Sequence, residues 1–147
     1  MRRILAGALA LAAAACNGSL MRSDDQFAPG KWRVEAWMEL DGQSTRGSPG
    51  EIKPEILDLT REQAAQPPAA VFAGLFYAGI PNEADISFRD GKIDGTFHQR
   101  GVDDVAAHDV KISGDYDPKH FHVTFGYRAF GRGYDQIVEG DLLEPAS

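Results

Sequence analysis

Polar and apolar side chains alternate along most of the segment from Ala84 to Leu143, and no other feature constrains the fold as strongly. A period of two places successive side chains on opposite faces of a β-strand. Turn residues separate the alternating runs, and Asp90-Gly91 is typical of a type I′ hairpin turn. The segment therefore predicts four or five consecutive antiparallel strands, at Asp85–Arg89, Lys92–Gln99, Val110–Tyr116, Phe121–Phe130 and Tyr134–Leu142.

A strand of the same kind is predicted from Lys31 to Asp41. One face is apolar, and the other is expected to be mostly exposed and carries Arg33, Glu35, Trp37, Glu39 and Asp41. Trp37 interrupts this polar face, and two interpretations remain open. The ring either lies flat over neighbouring side chains at a barrel rim, or it anchors a ligand or partner, since tryptophan is enriched at binding hot spots.

The chain between these strands predicts a loop, a short strand and two short helices. Ile52–Leu59 fits a short strand, and Thr60 with Gln63 fits a capping box at the start of a helix. A second helix is predicted from Ala69 to about Tyr77, with Gly79 as its C-terminal stop. Its apolar stripe predicts a plug for the core and consists of Val71, Phe72, Leu75 and Phe76.

Together these patterns predict a mainly β domain of the α+β class. We expect six to eight antiparallel strands in a meander that curls into a small barrel or half-barrel. One or two short helices near residues 60–78 are expected to cover one end or edge. A small barrel of this kind can hold one modest ligand. The many Phe and Tyr side chains either fill its interior or line it.

The N-terminal residues predict export rather than a folded element. A basic start is followed by the apolar run Ile4–Ala15, so residues 1–15 fit a signal peptide. Leu11–Cys16 resembles a bacterial lipobox, which predicts a lipid anchor on Cys16 at the periplasmic face of the cell envelope. Asn17 after the cysteine favours the outer membrane. The alternative is an ordinary signal peptide cut nearby, which would leave Cys16 as a free thiol.

The remaining chain is expected to contain an acidic flexible tether at residues 16–29 and one β-rich domain at residues 30–147. The net charge is −7, and removal of residues 1–15 lowers it to −9 because two arginines are lost. Nucleic acids and anionic lipid head groups require a basic surface, so neither is expected as a partner. With Cys16 acylated, the domain has no disulfide, and its stability depends on core burial.

Several short motifs resemble a bacterial family called domain of unknown function 3617. They are Phe27–Val34, Leu59–Ala64, Asp90–Thr96 and Ser113–Tyr116. Members are small secreted or lipid-anchored proteins, and typical members carry several domain cysteines that this divergent sequence lacks. The resemblance implies the same compartment and fold. It implies no activity, because none is established for the family.

The four histidines are the first candidates for a metal site. His120 and His122 are two residues apart, so they project from the same face of a strand. Further ligands would have to come from His98, His108, Asp103, Asp104 or Asp109. The alternative is a pair of partly exposed histidines on a polar strand face. Because no third ligand is placed by a motif, we predict no metal or cofactor.

Other chemistry has weaker signals, and no catalytic residue is predicted. Ser87 and Ser113 lie outside any nucleophile motif. Asp115 and Asp117 flank a tyrosine, where a solvated edge or a turn cap is expected instead of a paired-carboxylate site. The basic side chains that could cluster as an anion site, or form ion pairs with the excess carboxylates, are Arg89, Arg100, Arg128 and Arg132.

Three functions follow from these observations. The first is a non-enzymatic, lipid-anchored envelope protein that binds a small apolar ligand or envelope component, which an aromatic-lined cavity would favour. The second is a periplasmic interaction module that docks on an envelope protein through a strand edge or the Trp37 face, which a filled core with a flat apolar patch would favour. The third is a metal-binding protein or enzyme in which the histidines converge.

Overall fold

The computed structural model describes residues 25–47, 52–81, 84–101 and 106–147. The predicted signal peptide, the predicted lipidation site Cys16 and most of the predicted tether lie outside these ranges. Asp103 and Asp104, two of the candidate metal ligands, also lie outside them. The statements that follow concern the described residues.

Eight antiparallel strands form one sheet in the described part of the chain, which confirms the predicted mainly β class. The sheet is curled but not closed, so the domain is a half-barrel. The strands are β1 Gly30–Leu40, β2 Gln43–Ser44, β3 Ile52–Leu59, β4 Asp85–Arg89, β5 Lys92–Gln99, β6 His108–Asp117, β7 His120–Ala129 and β8 Arg132–Pro145.

The spatial order of the strands is β2-β1-β8-β7-β6-β5-β4, and β3 also pairs with β1. The meander from β4 to β8 is therefore followed by pairing of the last strand with the first. Asp90 and Gly91 have positive φ angles of 51° and 76°, which confirms the predicted hairpin turn between β4 and β5. Phe130 and Gly131 make a similar turn between β7 and β8, although a bulky residue rarely adopts positive φ.

Two short helices lie between β3 and β4, namely α1 Arg61–Ala64 and α2 Pro68–Val71. The capping box of Thr60 and Gln63 is present at the start of α1, as predicted. After α2 the chain continues as a π-helical turn, Phe72–Phe76. No helix in the described ranges is long and apolar enough to cross a membrane.

The second helical segment ends at Phe76, close to its predicted end at about Tyr77, but Gly79 is not the residue that stops it. The Tyr77 N–H donates to the Phe72 carbonyl over 2.8 Å, and Tyr77 itself is already extended, with φ −148°. The Tyr77 ring packs 4.9 Å from the Phe125 ring, measured between centroids. Tertiary packing of this ring thus ends the helix before the glycine signal is reached.

One end of the half-barrel is filled by aromatic rings, and we call it the closed end. Its centre consists of Phe27, Trp32, Phe72, Phe76 and Phe121, all of them buried. The Phe76 and Phe121 centroids are 4.8 Å apart, and Phe27 meets Trp32 edge-on at 5.5 Å. Edge-on and offset contacts are the favoured geometries for aromatic pairs. The helical segment therefore plugs this end, as its apolar stripe predicts.

The predicted boundary of the domain at residue 30 is too late. Phe27 is only 1% exposed, and the Ala28 N–H donates to the Pro118 carbonyl over 2.8 Å. Asp25 accepts a hydrogen bond of 3.1 Å from the Tyr116 hydroxyl. Residues 25–29 therefore belong to the folded unit and not to a flexible tether. A single apolar residue in a polar stretch, Phe27, was the available signal.

Candidate ligand-binding site

The other end of the half-barrel is not filled by the side chains of the described residues, and we call it the open end. The same alternation that buries the closed end brings Phe97, Val110, Phe125 and Gln136 to the inner face here. In the strand register, Phe97 lies opposite Val110, and Phe125 lies opposite Gln136. Between these strands is a cavity of about 220 Å³.

Phe and Tyr rings form part of the wall of this cavity, together with polar side chains. The rings belong to Tyr77, Phe97, Phe125 and Tyr127. Behind Tyr127 the rings of three adjacent strands are stacked. His108 lies 4.5 Å from Tyr127, and Tyr127 lies 5.2 Å from Tyr134, between ring centroids. Because such stacks hold their members in place, one wall of the cavity is a rigid aromatic surface.

Tyr77, Gln136, His108 and Gln99 bring polar groups to the same cavity. The Tyr77 hydroxyl donates to Gln136 Oε1 over 2.8 Å, and burial raises the pKa of Tyr77. His108 Nδ1 lies 2.9 Å from the Ala106 carbonyl oxygen. Gln99 is opposite His108 in the register and lies at the exposed margin of the cavity. The cavity thus combines apolar walls with a few fixed polar groups, the usual composition of a small-molecule site.

A larger concavity of about 500 Å³ lies on the outer face of β4, β5 and β6. Its polar lining residues include Asp85, Asp94, Asp109 and Lys111, which are all exposed. Charged side chains in this position are already solvated by water. The lining of the concavity is nonetheless largely apolar, but it is more open to solvent than the cavity of the open end, so the smaller and more enclosed cavity is the better candidate site.

Three of the four histidines pair with carboxylates and His108 pairs with a backbone carbonyl, so in the described part of the chain they do not gather as metal ligands. His120 Nδ1 lies 2.7 Å from Asp141, His122 Nδ1 lies 2.9 Å from Glu139, and His98 Nδ1 lies 2.8 Å from Asp109. Within the described ranges, no group of three or more His, Cys, Asp or Glu side chains could hold a metal ion. His120 and His122 do share a polar strand face and are partly exposed, as the alternative interpretation predicts.

The predicted exposure of the polar face of β1 is wrong at two positions. Trp37 is 8% exposed and Glu35 is 6% exposed. The Arg46 guanidinium lies 4.4 Å from the centre of the Trp37 ring and also pairs with Glu35. Arg46, which follows β2 closely in the chain, covers this face, and no local pattern indicates that contact. Trp37 therefore presents little surface to a partner and packs against neighbouring side chains.

The remaining candidate carboxylates, Asp115 and Asp117, make structural contacts. Asp117 accepts a hydrogen bond of 2.7 Å from the Lys119 N–H, so it caps the predicted turn. Lys92 pairs with Asp115 and lowers the pKa of that carboxyl.

Arg132 donates to Asp41 over 2.9 Å, as ion pairing with the excess carboxylates predicts. The Gly133 N–H and the Arg132 guanidinium lower the pKa of Asp41. Arg128 donates to the Gly131 carbonyl over 3.5 Å, so it forms a turn contact instead. Arg89 and Arg100 are exposed.

Of the residues that line the open end, sequence reasoning singled out His108 alone as a candidate site residue, and it did so as a metal ligand. The available signal was polar side chains on the inner face of alternating strands, here Gln99, His108 and Gln136. Comparison of the chain with known protein families, with curated proteins and with solved structures finds no match. The resemblance to domain of unknown function 3617 therefore stays a prediction.

Proposed function

We propose that this chain is a non-enzymatic, lipid-anchored protein of the cell envelope that binds a small, largely apolar ligand at the open end. The observation that carries the proposal is the aromatic-walled cavity of about 220 Å³ on the inner face of the half-barrel. Mostly apolar walls with a few convergent polar groups are typical of ligand sites.

The volume of the cavity limits the size of the ligand. An enclosed apolar cavity of about 150 Å³ binds benzene, whereas sites for drug-sized ligands begin at about 300 Å³. The cavity at the open end lies between these values. It therefore fits a molecule of one or two rings, and a phospholipid acyl chain is too long for it.

The position of the cavity is compatible with the proposed anchor. The described chain enters the domain at Asp25 and Phe27, which pack at the closed end. The cavity is formed by the opposite ends of the same strands, near Gln99, His108 and Tyr127. The ligand would therefore enter at the end of the domain remote from the entry of the anchored chain.

The chemistry of the lining supports binding and not catalysis. The Tyr77 hydroxyl is engaged with Gln136, and its raised pKa keeps it protonated at neutral pH. A protonated phenol is a poor nucleophile and a poor base. The remaining polar side chains of the wall are a second phenol, two amides and an imidazole, which can orient a ligand through hydrogen bonds.

Ligand-observed fluorine NMR with para-fluorotoluene tests the proposed binding. We expect line broadening with the purified protein and affinity about fivefold weaker in Tyr127→Ala, because an aromatic contact contributes about 1 kcal/mol. Leu143→Ala is the matched control, since Leu143 is 55% exposed and lies on β8 away from the cavity. Absence of broadening, or equal affinity in both variants, would contradict the proposal.

Intact-mass analysis tests the proposed anchor. Expression in a Gram-negative host is expected to give a protein that lacks residues 1–15 and carries acyl chains on Cys16. Cys16→Ser should move the protein from the membrane fraction to the soluble fraction, because several acyl chains together anchor a protein stably. A mass that corresponds to an unmodified Cys16 would refute the anchor and leave the ligand proposal standing.

A further inference from the structure

We propose that the ligand of the open end is a neutral aromatic molecule that carries a hydrogen-bond donor, such as a phenol, and that His108 accepts this hydrogen bond. The inference rests on the proposed function, because it names the ligand class of the same cavity. It follows from the tautomer of His108, from the hydrogen bonds already made by its neighbours and from the charge of the lining.

The tautomer of His108 is set by its backbone partner. His108 Nδ1 lies 2.9 Å from the Ala106 carbonyl oxygen, which can only accept. The proton therefore resides on Nδ1. In the neutral ring the other nitrogen, Nε2, then has a lone pair and no proton. His108 thus offers an acceptor to any ligand that reaches Nε2.

The ring of His108 is held as part of the cavity wall. It stacks on Tyr127 at 4.5 Å with an angle of 29° between the rings, and Tyr127 stacks in turn on Tyr134 at 5.2 Å. The backbone hydrogen bond restrains rotation of the same ring. An acceptor that is fixed before the ligand arrives loses little conformational entropy on binding.

The neighbouring acceptor in the wall is already used. Gln136 Oε1 accepts a hydrogen bond of 2.8 Å from the Tyr77 hydroxyl. Gln99 is exposed, so water competes for its amide. Among the described lining residues, His108 Nε2 and the tyrosine hydroxyl oxygens can still accept a hydrogen bond, and the imidazole nitrogen is the stronger acceptor of the two kinds.

The charge of the lining excludes ionised ligands. With His108 neutral, none of the described residues that line the cavity carries a full charge. Transfer of an ionised group into such a site without a partner costs several kcal/mol, so carboxylates and ammonium ions are rejected. A phenol has a pKa of about 10, so it is neutral at physiological pH. It therefore carries no charge into the cavity and still offers a hydrogen-bond donor.

Two probes of nearly equal shape test the inference by fluorine NMR. In para-fluorophenol a hydroxyl group replaces the methyl group of para-fluorotoluene. The quantity to measure is the ratio of the two dissociation constants, toluene over phenol. His108→Phe keeps an aromatic ring beside Tyr127 and removes the acceptor. We expect the ratio to fall at least about fivefold in His108→Phe, because the buried hydroxyl then has no partner.

His108→Gln is the complementary variant, because the glutamine amide retains an acceptor but cannot stack. We expect weaker binding of both probes and a ratio closer to that of the natural protein than in His108→Phe. The thermal unfolding midpoint of each variant verifies that it is folded. Because the two variants fail in different ways, a folding defect in one leaves the other to decide.

The outcomes separate this inference from the proposed function. If para-fluorotoluene binds and His108→Phe leaves the ratio unchanged, the role of His108 is refuted and apolar binding stands. If neither probe binds the natural protein, both proposals are refuted. If the ratio falls in His108→Phe and is retained in His108→Gln, both are supported.

Discussion

The two ends of the half-barrel have the same construction and different contents. Both present aromatic side chains on the inner face of neighbouring strands. A single strand, β7, carries Phe121 at the closed end and Tyr127 at the open end. Phe121 is completely buried, whereas Tyr127 is half-buried beside a cavity. The difference comes from the segments that cover the strands. Phe27, Phe72 and Phe76 fill the closed end, whereas Tyr77 and Gly79 are the described residues of the helical connection that line the open end.

The face to which a side chain points is decided locally, whereas its packing is not. Alternation along a strand decides which side chains face inward. Whether those side chains are packed or left beside a cavity depends on segments that are distant in sequence. The closed end therefore stabilises the domain, and the open end is available for a ligand.

Truncation of one ring at each end should separate the two roles most clearly. Phe121→Ala removes a completely buried ring and should lower the free energy of unfolding by about 3–5 kcal/mol. Phe97→Ala, at the half-buried wall of the open end, should cost less than half as much, since water already reaches the site. Urea denaturation measures both values. Equal losses at the two ends would contradict the distinction.

A small-to-large change probes how tightly the closed end is packed. A methyl group on Gly140 would overlap the Phe121 ring, so Gly140→Ala should destabilise the domain by about 1–3 kcal/mol. Gly74→Ala is the control, because a methyl group there meets no atom within 4 Å. A Gly140→Ala protein with unchanged stability in urea would show that the closed end is not tightly packed around Phe121.

Removal of one hydroxyl tests the polar contact at the open end. Tyr77→Phe breaks the hydrogen bond to Gln136 and should lower the free energy of unfolding by about 0.5–1.5 kcal/mol. The aromatic wall is preserved, so para-fluorotoluene should still bind. A loss of several kcal/mol in thermal unfolding would mean that the open end contributes to the core as the closed end does.

The pKa of Tyr116 indicates how well the closed end is shielded from water. Burial, together with the hydrogen bond to Asp25, raises its pKa to about 12. Because the folded pKa exceeds the ordinary value of about 10, stability should be constant below that pH and fall as the pH rises towards 12. Tyrosinate absorbance should show a late-ionising tyrosine, in addition to Tyr77, that is absent in Tyr116→Phe. An unchanged titration curve in Tyr116→Phe would contradict this.

Local signals in the sequence predicted the elements well. The Asp90-Gly91 turn, the Thr60 capping box and the strand Ile52–Leu59 are found where they were expected, because short-range backbone chemistry determines each of them. Nonlocal contacts were missed. The docking of Phe27 and the cover of Arg46 over Trp37 join segments that no periodicity connects.

The candidate site was predictable only in part. An interior lined by aromatic rings was one of two expectations, and strand alternation placed Phe125 and Tyr127 on the correct face. The cavity itself arises because the helical connection turns away after Phe76, and this depends on tertiary packing of Tyr77. The carboxylate partners of the histidines depend on strand register, which alternation alone does not give.

A crystal structure of the protein soaked with bromobenzene tests the central claim most directly, because anomalous scattering locates the bromine. We predict a bromine site inside the open end, within contact of Phe97 and Tyr127, and none among the rings of the closed end. Bromine only on the outer surface, or an open end filled by the protein's own side chains, would contradict the assignment of this cavity as a ligand site.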